Sequence, residues 1–302
     1  MTSGCLVVVT GAAGGVGRTV VELLRGSDMP VRAMVHRQDE RADALRSRRA
    51  EVVAGDLTRP ADVARALEGA GRILFSMSVS PVYLEAAATV ATVARTLGTV
   101  EVLVDISQMT VSQMSAVSTE ESRQQRLHWL SEQVLDWSGL PVVHVRPTVF
   151  LDNPLFTTLA ARSVADDGIL ALPFGTGRTS PVAAGDVARV IAAILRHPGE
   201  HIGQVHELTG PRCQDMTGVA EEYSRALGMG VSYADVPLDV WVEQVVDPAG
   251  FPPHLRQHII TMARLHHRNR YDRLTRTVEQ ITGSPAQTVE DFVAQRSGLF
   301  TR

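Results

Sequence analysis

Gly11, Gly14 and Gly17 stand three residues apart in VTGAAGGVGRTV, between a β-branched run and an apolar-periodic segment. A glycine loop that follows a strand and opens a helix is suited to hold the diphosphate of a dinucleotide. Gly11 permits the sharp turn. Gly14 lets backbone approach the diphosphate with no Cβ in the way, and Gly17 allows close packing of helix on strand. The helix N-terminus then offers free N–H groups and a positive dipole end to the phosphates.

The end of the second strand indicates which dinucleotide. An NAD site usually places Asp or Glu there for the ribose hydroxyls. This chain reads MVHRQDE, with His36 and Arg37 where an acid would stand. Arg37 can pair with a 2′-phosphate, and Arg18 could help from the loop. The pattern favours NADP(H) over NAD; otherwise Arg37 is a solvated residue at a helix start. Asp39 and Glu40 read as helix N-terminal charges. In AGDLTRP, Asp56 could hydrogen-bond the adenine amino group with Leu57 on the ring, or it is a turn residue capping the next helix.

These residues need a frame. Apolar runs predict strands at 5–10, 31–36, 50–56, 71–78, 100–107 and 141–148, with helices at 16–25, 40–49, 60–68, 82–97 and 121–137. Such alternation implies an α/β fold: a Rossmann doubly wound parallel sheet with helices on both faces and ligands along the C-terminal edge of the strands. After residue 150 the rhythm changes. FGTGRTSPV (174–182) reads as a glycine-rich loop leading into a strand, 184–195 as a helix and 204–210 as a strand, followed by mostly helical sequence. The expected organisation is a dinucleotide-binding domain over 1–150, with 181–210 returning to it. Residues 151–180 and 211–302 then form a smaller, mostly helical C-terminal lobe that reads the substrate.

Composition limits the alternatives. The chain has 302 residues, 44% hydrophobic and 21% charged, with a net charge of −4. That is ordinary globular composition, and the acidic balance argues against nucleic acid. Cys5 and Cys213 make no metal spacing and fit free thiols in a reducing compartment, so the expected location is cytoplasmic and no metal is expected. No apolar run is long enough for a membrane helix. The stretch ARLHHRNRYDRLTR (263–276) concentrates arginine and histidine; it could meet nucleic acid or an anionic partner, but most such runs are solvated faces or interface rims. Either a second copy of the chain or a regulated protein would suit as a partner. The chain contains no lysine, so no step that needs a lysine amine can happen here.

VTGAAGGVGR, VRAMVHR, AGDL, LVDIS, VVHVRPTVFLDN and SPVAAGDVA, in this order, together with the tail ITGSPAQTVEDFV, resemble the atypical short-chain dehydrogenase/reductases. The specific likeness is to the NmrA-like group, which includes NADPH-dependent quinone oxidoreductases and redox-sensing regulators. The resemblance implies that Gly11, Ala13, Gly14, Val16 and Gly17 line the diphosphate, Arg37 the 2′-phosphate, and Asp56 and Leu57 the adenine. It places Ser76, Met77 and Ser78 beside the cofactor ribose, Ser107 facing substrate, and Pro147 and Thr148 near the nicotinamide.

The chain departs from the Tyr-x-x-x-Lys signature of most short-chain dehydrogenases, in which Tyr exchanges a proton and Lys lowers its pKa. Tyr83, Tyr223, Tyr233 and Tyr271 all lie outside the helix at 121–137. With Glu132 and SGLPVVHVRP setting the register, His128 falls where the lysine would be and Gln124 where the tyrosine would be. His128 either replaces the lysine, titrating near neutral pH, or is a polar residue on a helix surface. His144, inside an apolar strand, reads as a satisfied core histidine. Hydride transfer survives this loss, because reduction of a quinone or conjugated carbonyl needs alignment of the nicotinamide and exclusion of water. The expected activity is NADP(H)-dependent reduction of a small quinone or enone, with Ser107 or His128 assisting. The alternatives are a non-enzymatic NADP(H) sensor that regulates a partner, and a tailoring enzyme of secondary metabolism.

Overall fold

A computed structural model describes residues 5–301. Six short strands rich in Val, Leu and Ile follow one another: β1 (Leu6–Val9), β2 (Val31–Val35), β3 (Glu51–Ala54), β4 (Ala70–Phe75), β5 (Val102–Ile106) and β6 (Val142–Pro147). Their connections carry α1 (Gly15–Arg25), α2 (Glu40–Ser47), α3 (Pro60–Leu67), α4 (Tyr83–Leu97) and α5 (Arg123–Trp137). With β8 (Val205–Leu208), the large sheet runs in the order β3-β2-β1-β4-β5-β6-β8, and β7 (Ile169–Leu172) lies outside it. All pairings among β1–β6 are parallel. A parallel sheet needs both faces covered, which is why these strands read as near-continuous apolar runs rather than alternating ones. The chain is α/β with a Rossmann-like sheet, as the alternation predicts.

The chain divides into two compact units. The first comprises 1–111, 126–146 and 187–206, and the second 112–125, 147–186 and 207–302. The segment 112–125 therefore groups with the second unit, where the sequence reading placed it in the first domain. The first unit's core gathers Val8, Ile73, Phe75, Tyr83, Leu103 and Leu135 between sheet and helices. The second has its own core, built around Phe156, Phe174, Trp241, Leu265, Phe292 and Phe300.

Two expectations need correction in the second unit. No strand forms over 174–182; that segment makes only isolated bridges, Phe150 to Val182 and Thr179 to Gln214. Gly175 takes a φ of +57° there, a conformation that breaks an extended run. The unit also contains a second, two-stranded parallel sheet, β7 with β9 (Ser232–Asp235), in a stretch read as helical. Each of these strands is four residues long, too short for a period of two to stand out. Among the described residues, no helix is long and apolar enough to cross a membrane.

Candidate dinucleotide site

The glycine loop follows β1 at once. Gly11 has φ +58°, and a Cβ there would lie 2.5 Å from the Ser76 carbonyl oxygen. A Cβ on Gly17 would lie 2.5 Å from the Gly11 carbonyl oxygen and 3.0 Å from Ala12 Cα. Both positions thus exclude any side chain, by conformation and contact at Gly11 and by contact alone at Gly17. Gly14 is the N-cap of α1, and no side chain caps that end. The first-turn N–H groups of α1 are left to a ligand or to water, which suits a phosphate. Ala13 and Val16 are half-buried on this loop, and Gly14 and Arg18 are exposed. Thr10, which the sequence reading passed over, ties the loop down: its Oγ1 donates to the Ser76 carbonyl and accepts from the Ser76 amide, both at 2.9 Å.

A cavity of about 560 Å³ opens at the C-terminal ends of β1, β2, β3 and β4. Gly11, Asp56, Leu57, Ser76, Met77 and Ser78 line it, together with His36. Its size lies in the range of sites that hold drug-sized ligands. Asp56 serves the turn: its Oδ1 accepts from the Thr58 amide at 2.9 Å and hydroxyl at 2.8 Å, and these bonds hold its carboxyl below the usual range. No residue among those described bonds its Oδ2. At the tip of β2, Asp39 is already committed. It caps α2 through the amides of Arg41 and Ala42 and pairs with the Arg41 guanidinium at 2.6 Å. Arg37 is exposed and makes no ion pair or hydrogen bond with the described residues.

The sequence-predicted catalytic pair lies elsewhere in the first unit, and neither residue lines this cavity. His128 is half-buried on α5, with its ring 4.2 Å from that of Tyr83 and inclined at 50°. Tyr83 is fully buried at the start of α4 and donates from its hydroxyl to the Ile106 carbonyl at 3.0 Å. Burial, then the nearby charges of Asp105 and Glu132, push the Tyr83 phenol well above its ordinary value, so it stays protonated. A tyrosine thus meets the helix at the lysine-equivalent position, from a distant point in sequence. Ser107 follows β5, and its amide donates to the Val145 carbonyl at 2.8 Å. Its Oγ is buried without a partner among the described residues. Pro147 closes β6 and Thr148 follows it; both fall in the second unit, where the Thr148 amide donates to the Leu208 carbonyl. Gln124 also belongs to the second unit and bonds His254 at 2.8 Å.

Beside β5 and β6 lies a group of charges that the sequence analysis saw only in part. The sheet register sets Asp105 opposite His144. His144 Nδ1 meets Asp105 Oδ2 at 2.9 Å, and its Nε2 meets Asp136 Oδ1 at 3.0 Å. One turn along α5, Glu132 takes a two-pronged bond from Arg146 at 3.0 and 2.5 Å. Asp105, Glu132 and His144 offer ligand atoms within 4.8 Å of one another, which is metal-like spacing. The positive charge a metal would bring is already present, because Arg146 occupies both Glu132 oxygens and His144 uses both ring nitrogens.

The basic run at 263–276 is largely spent inside the second unit. Arg268 pairs with Glu120, Arg270 with Glu120 and Glu121, and Arg273 with Glu207.

Comparison with known proteins agrees with this geometry. A family model described as NAD(P)H-binding matches residues 11–198, more than half of the chain. The NAD(P)H azoreductase of Xenophilus azovorans is 28% identical over 297 residues, covering 98% of this chain and 99% of that protein. The (4-alkanoyl-5-oxo-2,5-dihydrofuran-3-yl)methyl phosphate reductase of Streptomyces griseus is 28% identical over 295 residues, with the same coverage of both. Among solved structures, an NADPH-dependent quinone oxidoreductase of Escherichia coli complexed with NADPH superposes with a TM-score of 0.82 at 22% identity, covering 96% of this chain and 99% of that one. From the loop that opens α1 to the far edge of the sheet, the chain belongs to the NAD(P)H-binding, NmrA-like group of atypical short-chain dehydrogenase/reductases.

Proposed function

We propose that this protein is an NADPH-dependent reductase of small conjugated acceptors, with quinones and enones as its substrate class. The observation that carries the cofactor choice is the division of labour at the tip of β2. Asp39 is held in a cap and an ion pair, while Arg37 is exposed and unpaired among the described residues. A guanidinium free to make paired hydrogen bonds suits a 2′-phosphate, and the Asp39 carboxylate beside it is already committed to the α2 cap and to Arg41. The cradle fits the rest of a dinucleotide. Gly11 and Gly17 leave no room for side chains, the first turn of α1 is uncapped, and Asp56, Leu57 and Ser76–Ser78 line one continuous cavity.

Bound there, the dinucleotide supplies a hydride. The chain's own part is to grip it through the α1 N-terminus and Arg37, to orient it against the β4 loop, and to provide a proton. Ser107 is the preferred donor, because it directly follows β5 with a hydroxyl unpartnered among the described residues. His128 assists by holding Tyr83 against the end of the same strand. The substrate class draws support from the relatives: the two described above are named as reductases, and one name describes a conjugated 5-oxo-2,5-dihydrofuran.

The test is fluorescence titration with NADPH and NADH, then single-turnover loss of NADPH absorbance with a panel of quinones, enones and azo dyes. NADPH binding that is tighter than NADH binding, with oxidation by at least one acceptor class, is the expected result. Tight binding with no oxidation across the panel would replace the reductase with a dinucleotide sensor.

A further inference from the structure

Asp105 is 1% exposed and His144 4%, yet the line of polar groups they begin reaches solvent at Asp136, whose side chain is 56% exposed. Asp136 meets His144 Nε2 at 3.0 Å, and His144 Nδ1 meets Asp105 at 2.9 Å. The imidazole therefore has one nitrogen on a surface carboxylate and the other on a buried one. Asp105 keeps its second oxygen, Oδ1, buried and without a partner among the described residues, and so does Ser107 Oγ. Strand pairing persists through Ser107, whose amide bonds Val145. Side chains two residues apart on a strand share a face, about 7 Å apart along the backbone; Ser107 continues the β5 pairing one residue past the strand, which sets it on the face of Asp105. Buried polar atoms are seldom left unpaired, and two on one face mark a place where a water or a proton is handled.

We propose that Asp136, His144 and Asp105 form a proton relay that resupplies Ser107 from solvent. The proposal rests on the reductase reading. With the dinucleotide bound, its hydride would reduce the acceptor and leave an oxyanion on the product. The product's O–H bond forms as the Ser107 Oγ–H bond breaks. Ser107 recovers a proton from Asp105 through one bridging water. Asp105 takes that proton on Oδ2 from Nδ1–H of the His144 imidazolium, and its carboxyl turns to present it to the water. The neutral ring keeps its other proton, turns over, and takes a new one on its bare nitrogen from the Asp136 side. One proton enters at the surface for each delivered.

The surrounding charges suit this traffic. Asp105 on β5 faces His144 and Arg146 on β6, Glu132 on α5 and Tyr83 on α4, while Asp136 on α5 meets the far nitrogen of His144. Burial first, and Glu132 after it, push the Asp105 carboxyl up against the pull of His144 and Arg146, which makes it a better proton acceptor than a surface aspartate. Tyr83, its hydroxyl fixed on the Ile106 carbonyl, is not part of the path. Asp105 and His144 act through Ser107 and are positioning residues for the proton, not catalytic residues.

Asp136→Asn is the decisive variant, because it changes one atom at an exposed position. With NADPH and 2-methyl-1,4-naphthoquinone at pH 8 in dilute buffer, turnover is expected to fall about tenfold, less than the roughly 10²–10⁴-fold a general acid itself supplies, because only its resupply is slowed. The solvent deuterium isotope effect is expected to rise, and added imidazole to restore the rate. Asp105→Asn is expected to show the same loss without rescue, since its position is closed to buffer. A readout free of turnover accompanies these: in the protein without cofactor, the nitrogen resonances of the His144 ring are expected to titrate above neutral pH, with a lower midpoint in Asp136→Asn. An unchanged rate and isotope effect in Asp136→Asn, a loss that imidazole does not mend, or a His144 ring that stays neutral throughout would each overturn the relay and leave the reductase standing. Failure of the unmodified protein to oxidise NADPH with any acceptor would overturn both.

Discussion

Gly17 sits so close beneath the loop that a Cβ placed on it would lie 2.5 Å from the Gly11 carbonyl oxygen, closer than real Cβ atoms approach backbone. The helix and the turn are therefore one rigid device, and its geometry is set by two missing side chains. Gly17→Ala forces α1 away from the turn, at a cost of about 1–3 kcal/mol by analogy with overpacked cores. The first-turn N–H groups move with it. NADPH affinity is expected to drop about tenfold or more in a fluorescence titration, with a lower thermal midpoint. A variant that binds NADPH as the parent does would show that the α1 N-terminus does not hold the diphosphate.

Arg37→Ala separates the two dinucleotides. A charge-assisted hydrogen bond contributes about 1.5–3 kcal/mol, so losing a guanidinium from a 2′-phosphate is expected to weaken NADPH at least tenfold. NADH lacks that phosphate, and its affinity is expected to stay within about twofold. Stability is expected to change by less than about 0.5 kcal/mol, because Arg37 is exposed and away from any cap or core. Equal losses for both dinucleotides would assign Arg37 to something other than the 2′-phosphate.

The glycine loop and the Asp39 cap were legible in the sequence because they are local. Their physics is settled within a few residues, by φ at Gly11, by contact at Gly17 and by the amides that follow Asp39. Asp56 was legible only as two alternatives; the structure shows its Oδ1 in the turn and leaves its Oδ2 clear. What escaped is long-range. Asp105 meets His144 because β5 and β6 pair in one particular register, which composition does not reveal. Tyr83 meets His128 across 45 positions for the same kind of reason, and nothing within the 121–137 helix signals it. One signal was available: an aspartate inside LVDIS and a histidine inside PVVHVRP are charged groups in apolar strands. Buried charges seldom stand alone.

Tyr83→Phe tests the joint between α4 and β5. The change removes only the hydroxyl that donates to the Ile106 carbonyl, leaving a buried acceptor without its partner. That is expected to cost about 1–3 kcal/mol, read as a lower urea midpoint with an unchanged slope. The ring contacts to Phe75 and His128 persist, so NADPH affinity is expected to hold. A change in cofactor affinity of equal size would extend the influence of this joint to the cavity.

Three buried histidines predict a stability optimum near pH 6.5. Burial alone would hold His144 neutral. The Asp105 hydrogen bond and charge, the Glu132 charge and the Asp136 bond outweigh it and raise the imidazole from 6.5 to about 9. A pKa raised on folding gives stability that is fully present below 6.5 and is lost as pH climbs through about 9. Asp105 is itself pushed up, which offsets part of the pair's contribution but not its direction in this window. In the second unit the sign reverses. Burial, then the charge of His254, lowers His258 to about 4, and burial lowers His266 to about 3 against the pull of the Met262 carbonyl. A pKa depressed on folding gives stability that is present above 6.5 and is lost as pH falls toward the folded value. Each such histidine contributes a slope of up to about 1.4 kcal/mol per pH unit. Thermal midpoints measured from pH 4 to pH 10 are expected to peak near 6.5 and fall on both sides. His144→Gln is expected to flatten the alkaline limb alone, and His258→Gln to ease the acid limb alone. An alkaline limb that survives His144→Gln would move the titrating group elsewhere and strip the buried Asp105–His144 pair of its charge.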